Sequence, residues 1–223
     1  MKIFLLSFGN DIYTGQESYL IARILVLRGA DMDDVKYSSY DLLGYEKRSL
    51  EQKEEPPRFW TILGRDIFKQ KMFTFEFLIP NDLYLRAEVL CEDVKRMAET
   101  KKELTQPILI EYIFSEFLYE VRKNVHNTNY LYSRIKKRQE QLPLEENNPI
   151  IPTKSKSKVA SKIHREDVLR SEVFLRDIAE HDPNHKLTVE KLINIVYQDF
   201  IIEYKQGRRK DVFEELVDYM EDY

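Results

Sequence analysis

The sequence QEQLPLEENNPIIPTKSKSKVASK, from Gln139 to Lys162, decides how the rest of the 223-residue chain is divided. Its three prolines fix φ and remove backbone donors, and the Ser/Lys run behind them has little apolar surface to bury. A packed element is therefore not expected in this stretch. We predict a flexible linker over 139–163 that joins a mixed α+β domain over 1–138 to an all-α three-helix module over 164–223.

The first domain is expected to be rich in helix with a small sheet. Residues 72–79 alternate Phe or Ile with Thr or Glu, and this period of two is typical of a half-buried strand. Apolar residues three and four apart predict helices from Asn81 to about Glu99, from Thr105 to about Val125, and from Thr128 to about Glu140. Further short strands are predicted over 2–8, 35–40 and 59–63.

The C-terminal module is expected to contain three helices, beginning near Arg165, Thr188 and Lys210. A unit of about sixty residues buries too little surface to be stable with ease on its own, so we expect these helices to contact a protein partner or a second copy of the chain. Tyrosine is favoured at such contacts because it buries a large area at low entropic cost. The partner-contact candidates are Tyr197, Tyr204, Tyr219 and Tyr223.

Charge is distributed unevenly along the chain, whose formal net charge is −4. Residues 166–223 carry 8 basic and 15 acidic side chains, whereas 65–139 carry 14 basic and 11 acidic ones and 140–165 carry 5 and 3. An acidic surface repels the phosphates of nucleic acid. Any contact with nucleic acid is therefore expected between residues 65 and 165, although the lysine run also fits a solvated linker.

The order of elements in the first domain is similar to that of a ribbon-helix-helix DNA-binding unit. That unit has a strand followed by two helices, as predicted here over 72–79, 82–99 and 106–123, and its paired strands enter the major groove of DNA. The resemblance covers about a quarter of the chain. It implies DNA contacts from Lys69, Lys71 and Thr74, and it places the negative charge of Glu76 on the same strand.

Motifs for catalysis or cofactor binding are missing from the sequence. The glycines near the loop 7–11 lack the spacing of a dinucleotide fingerprint or a phosphate-binding loop, and no nucleophile elbow or kinase signature is present. His181 and His185 flank Asp-Pro-Asn, which is typical of a turn, so we expect no metal there. The single cysteine, Cys91, is expected to be a buried apolar residue. We therefore expect no cofactor and favour a protein without enzymatic activity.

Three functional hypotheses follow. The first is a cytoplasmic, non-enzymatic protein-interaction, assembly or regulatory protein that acts through two linked modules. The second is a DNA-binding transcriptional regulator that uses residues 72–123. The third is a nucleotide-binding α/β protein that uses the loop after the first strand. No segment has the roughly 20 apolar residues needed to span a membrane, and no internal repeat is evident in the sequence.

Overall fold

The computed structural model describes residues 35–51, 70–98, 102–124, 127–141 and 156–222. Within these ranges there are seven helices and one antiparallel sheet of two strands. The first elements are α1 (Leu42–Glu51), β1 (Met72–Pro80), α2 (Asn81–Met97), α3 (Gln106–Lys123) and α4 (Thr128–Gln141). The remaining elements are β2 (Lys156–His164), α5 (Arg165–Ala179), α6 (Val189–Lys205) and α7 (Val212–Asp222). None of the described helices is long and apolar enough to cross a membrane.

The segment that the sequence predicts to be a linker contains a strand. Residues 156–164 form β2, which pairs with β1 along its full length, from Met72 opposite His164 to Pro80 opposite Lys156. The prediction of an unpacked linker is therefore wrong for these residues, while 142–155 lie outside the described part of the chain. The expected two-domain arrangement is not confirmed, because Lys36–Tyr223 forms one compact unit.

Alternation explains why a lysine-rich sequence can form this strand. Val159 and Ile163 are buried together with Ser161, whereas the residues between them are exposed. A strand needs only one apolar face, so lysines on the other face remain in water. The hydroxyl of Ser161 donates a hydrogen bond to the carbonyl oxygen of Pro107 at 2.9 Å, which satisfies the buried polar side chain on the inner face. The average apolar content of a segment is therefore a poor predictor of a strand that buries only one face.

The two strands begin two copies of the same arrangement, a strand followed by three helices. The first copy is β1-α2-α3-α4 and the second is β2-α5-α6-α7, and each element of the second begins 83 or 84 residues after its counterpart. Contacts follow the same relation, because α3 packs on β2 while α6 packs on β1. Glu76 pairs with Ala160, which is its own counterpart. The register is therefore that of a pseudo-two-fold axis through the centre of the sheet.

The repeat is also present in the sequence once the offset is known. Residues 85–94 read LRAEVLCEDV and residues 169–178 read LRSEVFLRDI. Residues 104–123 read LTQPILIEYIFSEFLYEVRK and residues 187–206 read LTVEKLINIVYQDFIIEYKQ. The residues shared by the second pair of segments mainly fill the core or begin the helix, whereas Leu85 and Val89, shared by the first pair, are 62% and 54% exposed. The expectation of no internal repeat is therefore wrong. The repeat is difficult to recognise in the sequence because the strands that precede these helices differ in most positions.

The core lies between the sheet and the four helices that follow the strands directly. Phe73, Phe75 and Ile79 from β1 have exposed fractions of 0 to 1% and face the helices. Helices α3 and α6 pack against each other and against the strand of the other copy. The predicted helices near 81–99, 105–125 and 128–140 are present, as is the strand over 72–79.

The segment 35–40 is not a strand, contrary to expectation. It has irregular structure with bends from Tyr37 to Tyr40. The carbonyl oxygen of Tyr37 accepts a hydrogen bond from the amide of Val189 at 2.8 Å. Buried Glu172 on α5 accepts hydrogen bonds from the Ser38 hydroxyl and from the amides of Leu42 and Leu43 at the start of α1. The segment is thus shaped by contacts distant in sequence. The predicted strands over 2–8 and 59–63 lie outside the described residues.

Candidate nucleic-acid interface

The outer face of the two-stranded sheet is the most distinctive described surface, and we call the sheet the ribbon. The inner side chains of β1 and β2 are buried, and the alternate side chains face solvent. The outward residues of β1 and β2 are Met72, Thr74, Glu76, Leu78, Pro80, Lys156, Lys158, Ala160, Lys162 and His164. The described helices pack behind the ribbon, and no described element covers this face.

Positive charge predominates on the outer face, and the two ends of the ribbon differ in how far a carboxylate offsets it. Lys158 is neutralised in part by Glu76, with 2.7 Å between Nζ and Oε2, but both side chains are more than half exposed, so the pair contributes about 0–1 kcal/mol. Lys162, opposite Thr74, has no ion-pair partner among the described residues. Lys71 precedes β1 at the same end and is also exposed. One end of the ribbon therefore carries Lys162 and Lys71, and the other carries Lys156 together with Lys158, whose charge is partly offset.

His164 connects the outer face to the helices behind it. Its Nε2 lies 3.3 Å from Oε1 of Glu111 on α3. Burial raises the pKa of Glu111, and the adjacent imidazole opposes that rise. The contact fixes the last residue of β2 against α3, in addition to the ladder hydrogen bonds. This end of the ribbon is consequently attached to the core by a side chain as well as by backbone.

Backbone contacts at the same end hold β1 in place. The amide of Arg165 donates to the carbonyl oxygen of Lys71 at 2.8 Å, which joins the start of α5 to the start of β1. The hydroxyl of Tyr40 donates to the carbonyl oxygen of Thr74 at 2.7 Å, and its ring packs against Phe73 and Phe75. Because these contacts already hold the ribbon in one conformation, less conformational entropy is lost when a ligand binds to it.

Two of the three sequence-predicted DNA contacts lie at the ribbon. Thr74 is exposed on the outer face of β1, and Lys71 is exposed directly before this strand. Lys69 lies outside the described residues. The lysines of β2 were missed as strand residues because the sequence was interpreted as a linker. Lys156, Lys158 and Lys162 are separated by even numbers of residues, so all three fall on one face of a strand, and this is the signal that could have identified them.

The tyrosines predicted to contact a partner occupy different environments. Tyr197 is 1% exposed and its hydroxyl donates to Oε1 of Gln106 at 2.9 Å, so the prediction that it contacts an external partner is wrong. Its position on the broad apolar stripe of α6 marks it as core. Tyr204 packs edge-on against Phe213, and Tyr219 lies against Tyr112, so both are partly covered. Tyr223 lies outside the described residues.

A cavity of about 330 Å³ lies on the other side of the helices, between α3, α4, α6 and α7. Among the described lining residues four are basic and four are acidic, and two pairs of them are in contact. Nε of Arg138 lies 2.9 Å from Oδ1 of Asp199, and Nη1 of Arg134 lies 2.7 Å from Oε1 of Glu120. Since the charges offset, the lining selects no class of ligand by charge.

The histidine pair at 181 and 185 lies in the connection between α5 and α6, as the Asp-Pro-Asn turn predicts. Nε2 of His185 lies 2.9 Å from the carbonyl oxygen of Leu175, and Nδ1 of His181 lies 3.2 Å from that of Asp177. Asp182 accepts a hydrogen bond from the Tyr132 hydroxyl at 2.6 Å. These side chains are engaged in shaping the turn and attaching it to α4.

Comparison with known proteins adds no functional information. No protein-family model matches the chain, and no match was found among curated proteins or among solved structures. The functional argument consequently rests on the ribbon and its chemistry.

Proposed function

We propose that this protein is a DNA-binding regulator that inserts the outer face of the ribbon into the major groove of duplex DNA. The observation that carries the proposal is the antiparallel pairing of β1 and β2, each followed directly by two helices, with an open face that bears lysines. The major groove is wide enough to admit a two-stranded ribbon, and base edges are read there by side chains that point outward.

The outer side chains have chemistry suited to this role. Lysine donates to O6 and N7 of guanine or to phosphate, and threonine can donate, accept, or contact the methyl group of thymine. Lys162 and Thr74 lie opposite each other in the register, so both could reach the same part of the groove. Glu76 no longer argues strongly against DNA binding, because its carboxylate pairs with Lys158.

The alternative of a two-module interaction protein has lost two of its supports. It depended on a linker over 139–163, part of which is strand β2, and on the amphipathic helix α6, whose candidate contact residue Tyr197 is buried. No described surface favours a particular protein partner over duplex DNA. The nucleotide-binding alternative relies on the loop 7–11, which lies outside the described residues.

The direct test is a binding titration of the purified chain with a fluorescently labelled duplex of mixed sequence, about 30 base pairs long, at several salt concentrations. Saturable binding that weakens as salt increases is expected, since lysine contacts release counterions from DNA. An absence of binding at about 50 mM salt would refute the proposal. Selection from a random duplex pool then gives the preferred sequence for the variant measurements.

Single substitutions on the ribbon separate specific contacts from general attraction. Lys162→Ala should weaken binding and reduce the salt slope by about 0.9, the effect of one lost phosphate contact. Lys137→Ala is the matched control, because Lys137 is an exposed lysine on α4, which packs against α5 and α6. Equal effects of the two substitutions would contradict binding through the ribbon.

A gain of affinity provides a second test of the same face. Glu76→Gln removes the carboxylate that pairs with Lys158, which leaves the ammonium available for a phosphate and removes a negative charge from the groove. We expect tighter binding and a steeper salt dependence, by about one counterion. Weaker binding by Glu76→Gln would show that Lys158 does not contact a phosphate when Glu76 is neutral.

A further inference from the structure

The ribbon of this protein has the register of a symmetric dimer but is made within one chain. Its two strands are related by the pseudo-two-fold axis, with Glu76 opposite its counterpart Ala160. In a homodimer of ribbon-helix-helix type, the second strand comes from another subunit. Here β2 supplies it, and the helices of each copy pack on the strand of the other. No second chain is needed to complete the ribbon.

The backbone of the ribbon is related by the pseudo-two-fold axis, but the outward side chains at counterpart positions are not the same. Counterparts across the axis are Thr74 and Lys158, Glu76 and Ala160, and Leu78 and Lys162. Every pair differs in charge or polarity. In a homodimer these pairs would be identical and would present the same chemistry to two halves of a palindrome. The two halves of this ribbon present different chemistry.

The difference is clearest in the side chains at the two ends of the ribbon. One end has Thr74 opposite Lys162, with exposed Lys71 nearby, whereas the other has apolar Leu78 opposite Lys158, with half-buried Lys156 beside it. Lys158 is paired with Glu76, so its charge is partly offset. A guanine or a phosphate fits the first end, and a thymine methyl group fits the 38%-exposed side chain of Leu78 at the second.

We propose, on the basis of the function proposed above, that one chain alone occupies one duplex site and that this site lacks two-fold symmetry. The related strands contact two different base sequences within a single stretch of major groove. Recognition depends on which end of the ribbon faces which half of the site, so a given site is bound in one orientation. A second copy of the chain is not required for affinity.

Two measurements on the wild-type chain test this inference. Selection from a random duplex pool should give a motif without two-fold symmetry, and sedimentation velocity of the complex should give one chain per duplex. A palindromic motif occupied by two chains would overturn the inference while leaving DNA binding intact. No binding of any duplex would instead be a failure of the proposed function, so the two failures are distinguishable.

A symmetrised ribbon gives the sharper test. The triple variant Thr74→Lys, Glu76→Ala, Leu78→Lys makes both strands present Lys-Ala-Lys, with all three changes on the outer face. Its selected motif should become two-fold symmetric, with affinity for mixed-sequence duplex increased at least several-fold. Lysines directly opposite each other repel, so thermal unfolding should be measured beside binding. A folded triple variant that selects the wild-type motif would overturn the inference.

Discussion

Truncation of Ile163 tests whether residues 156–164 form a strand or a linker. The side chain of Ile163 is 1% exposed on the inner face of β2. Ile163→Ala removes the Cγ1, Cγ2 and Cδ1 atoms, and their transfer to water accounts for roughly 2.4 kcal/mol at about 0.8 kcal/mol per group. The cavity left behind adds to this, so we expect a loss of about 3 kcal/mol in the free energy of unfolding.

The assay is urea denaturation followed by circular dichroism, supported by thermal unfolding. A loss of about 3 kcal/mol corresponds to a decrease of roughly 6 to 12 °C in Tm for a chain of this size. Lys162→Ala, at the adjacent outward position, is the control and should change stability by less than about 0.5 kcal/mol. Ile79→Ala, at the counterpart of Ile163 in β1 and 0% exposed, should cost about as much as Ile163→Ala.

The result that would refute the reasoning is equal, small effects of Ile163→Ala and Lys162→Ala. A solvated linker makes no distinction between adjacent residues, whereas a strand buries one and exposes the other. If Ile163→Ala is too unstable to purify, Ile163→Val should still cost about 0.5 to 1.5 kcal/mol and serves as a milder variant.

The other predictions concern buried groups in the core. Burial raises the pKa of the Cys91 thiol to about 12, so a thiol reagent at pH 8 should label Cys91 only in denaturant, and rapid labelling of the native chain would contradict its burial. Tyr197→Phe leaves Gln106 without the hydroxyl that donates to it and should lower the free energy of unfolding by about 1 kcal/mol in urea; no change would indicate that the hydrogen bond adds no stability. Burial raises the pKa of Glu172, so folding favours its protonated form and stability should fall as the pH rises from 4.5 through the raised value. Glu172→Gln should reduce that pH dependence, and an unchanged slope would exclude this carboxyl as its source.

Local sequence was sufficient for most helices and for one strand. Asn81–Met97 and Gln106–Lys123 were expected because apolar residues recur along one face, and the proline in the first turn of the second helix marks its beginning. The strand over 72–79 was expected because Phe73, Phe75 and Phe77 alternate with polar residues. In these elements the periodicity of apolar residues is evident within one short segment, and the apolar face that it predicts is the one that packs in the core.

The candidate site was predictable only in part. Thr74 and Lys71 were identified from the order of elements, but the lysines of β2 were assigned to a linker. Composition was the misleading signal, since a sequence rich in lysine and serine is compatible with both solvated coil and an edge strand. Tyr197 was misassigned because an aromatic residue on an amphipathic helix has the same spacing in a core and at an interface.

The sequence by itself determined where helices form and how charge divides along the chain, because both depend on residues close together. The ribbon was decided by tertiary structure, since β2 pairs along its edge with β1 and its inner face is covered by α3, and both are distant in sequence. The same pairing decided that Lys162 lies opposite Thr74 on one open face. The two copies of the repeat are related by a pseudo-two-fold axis, and the order of residues along the chain does not specify that axis.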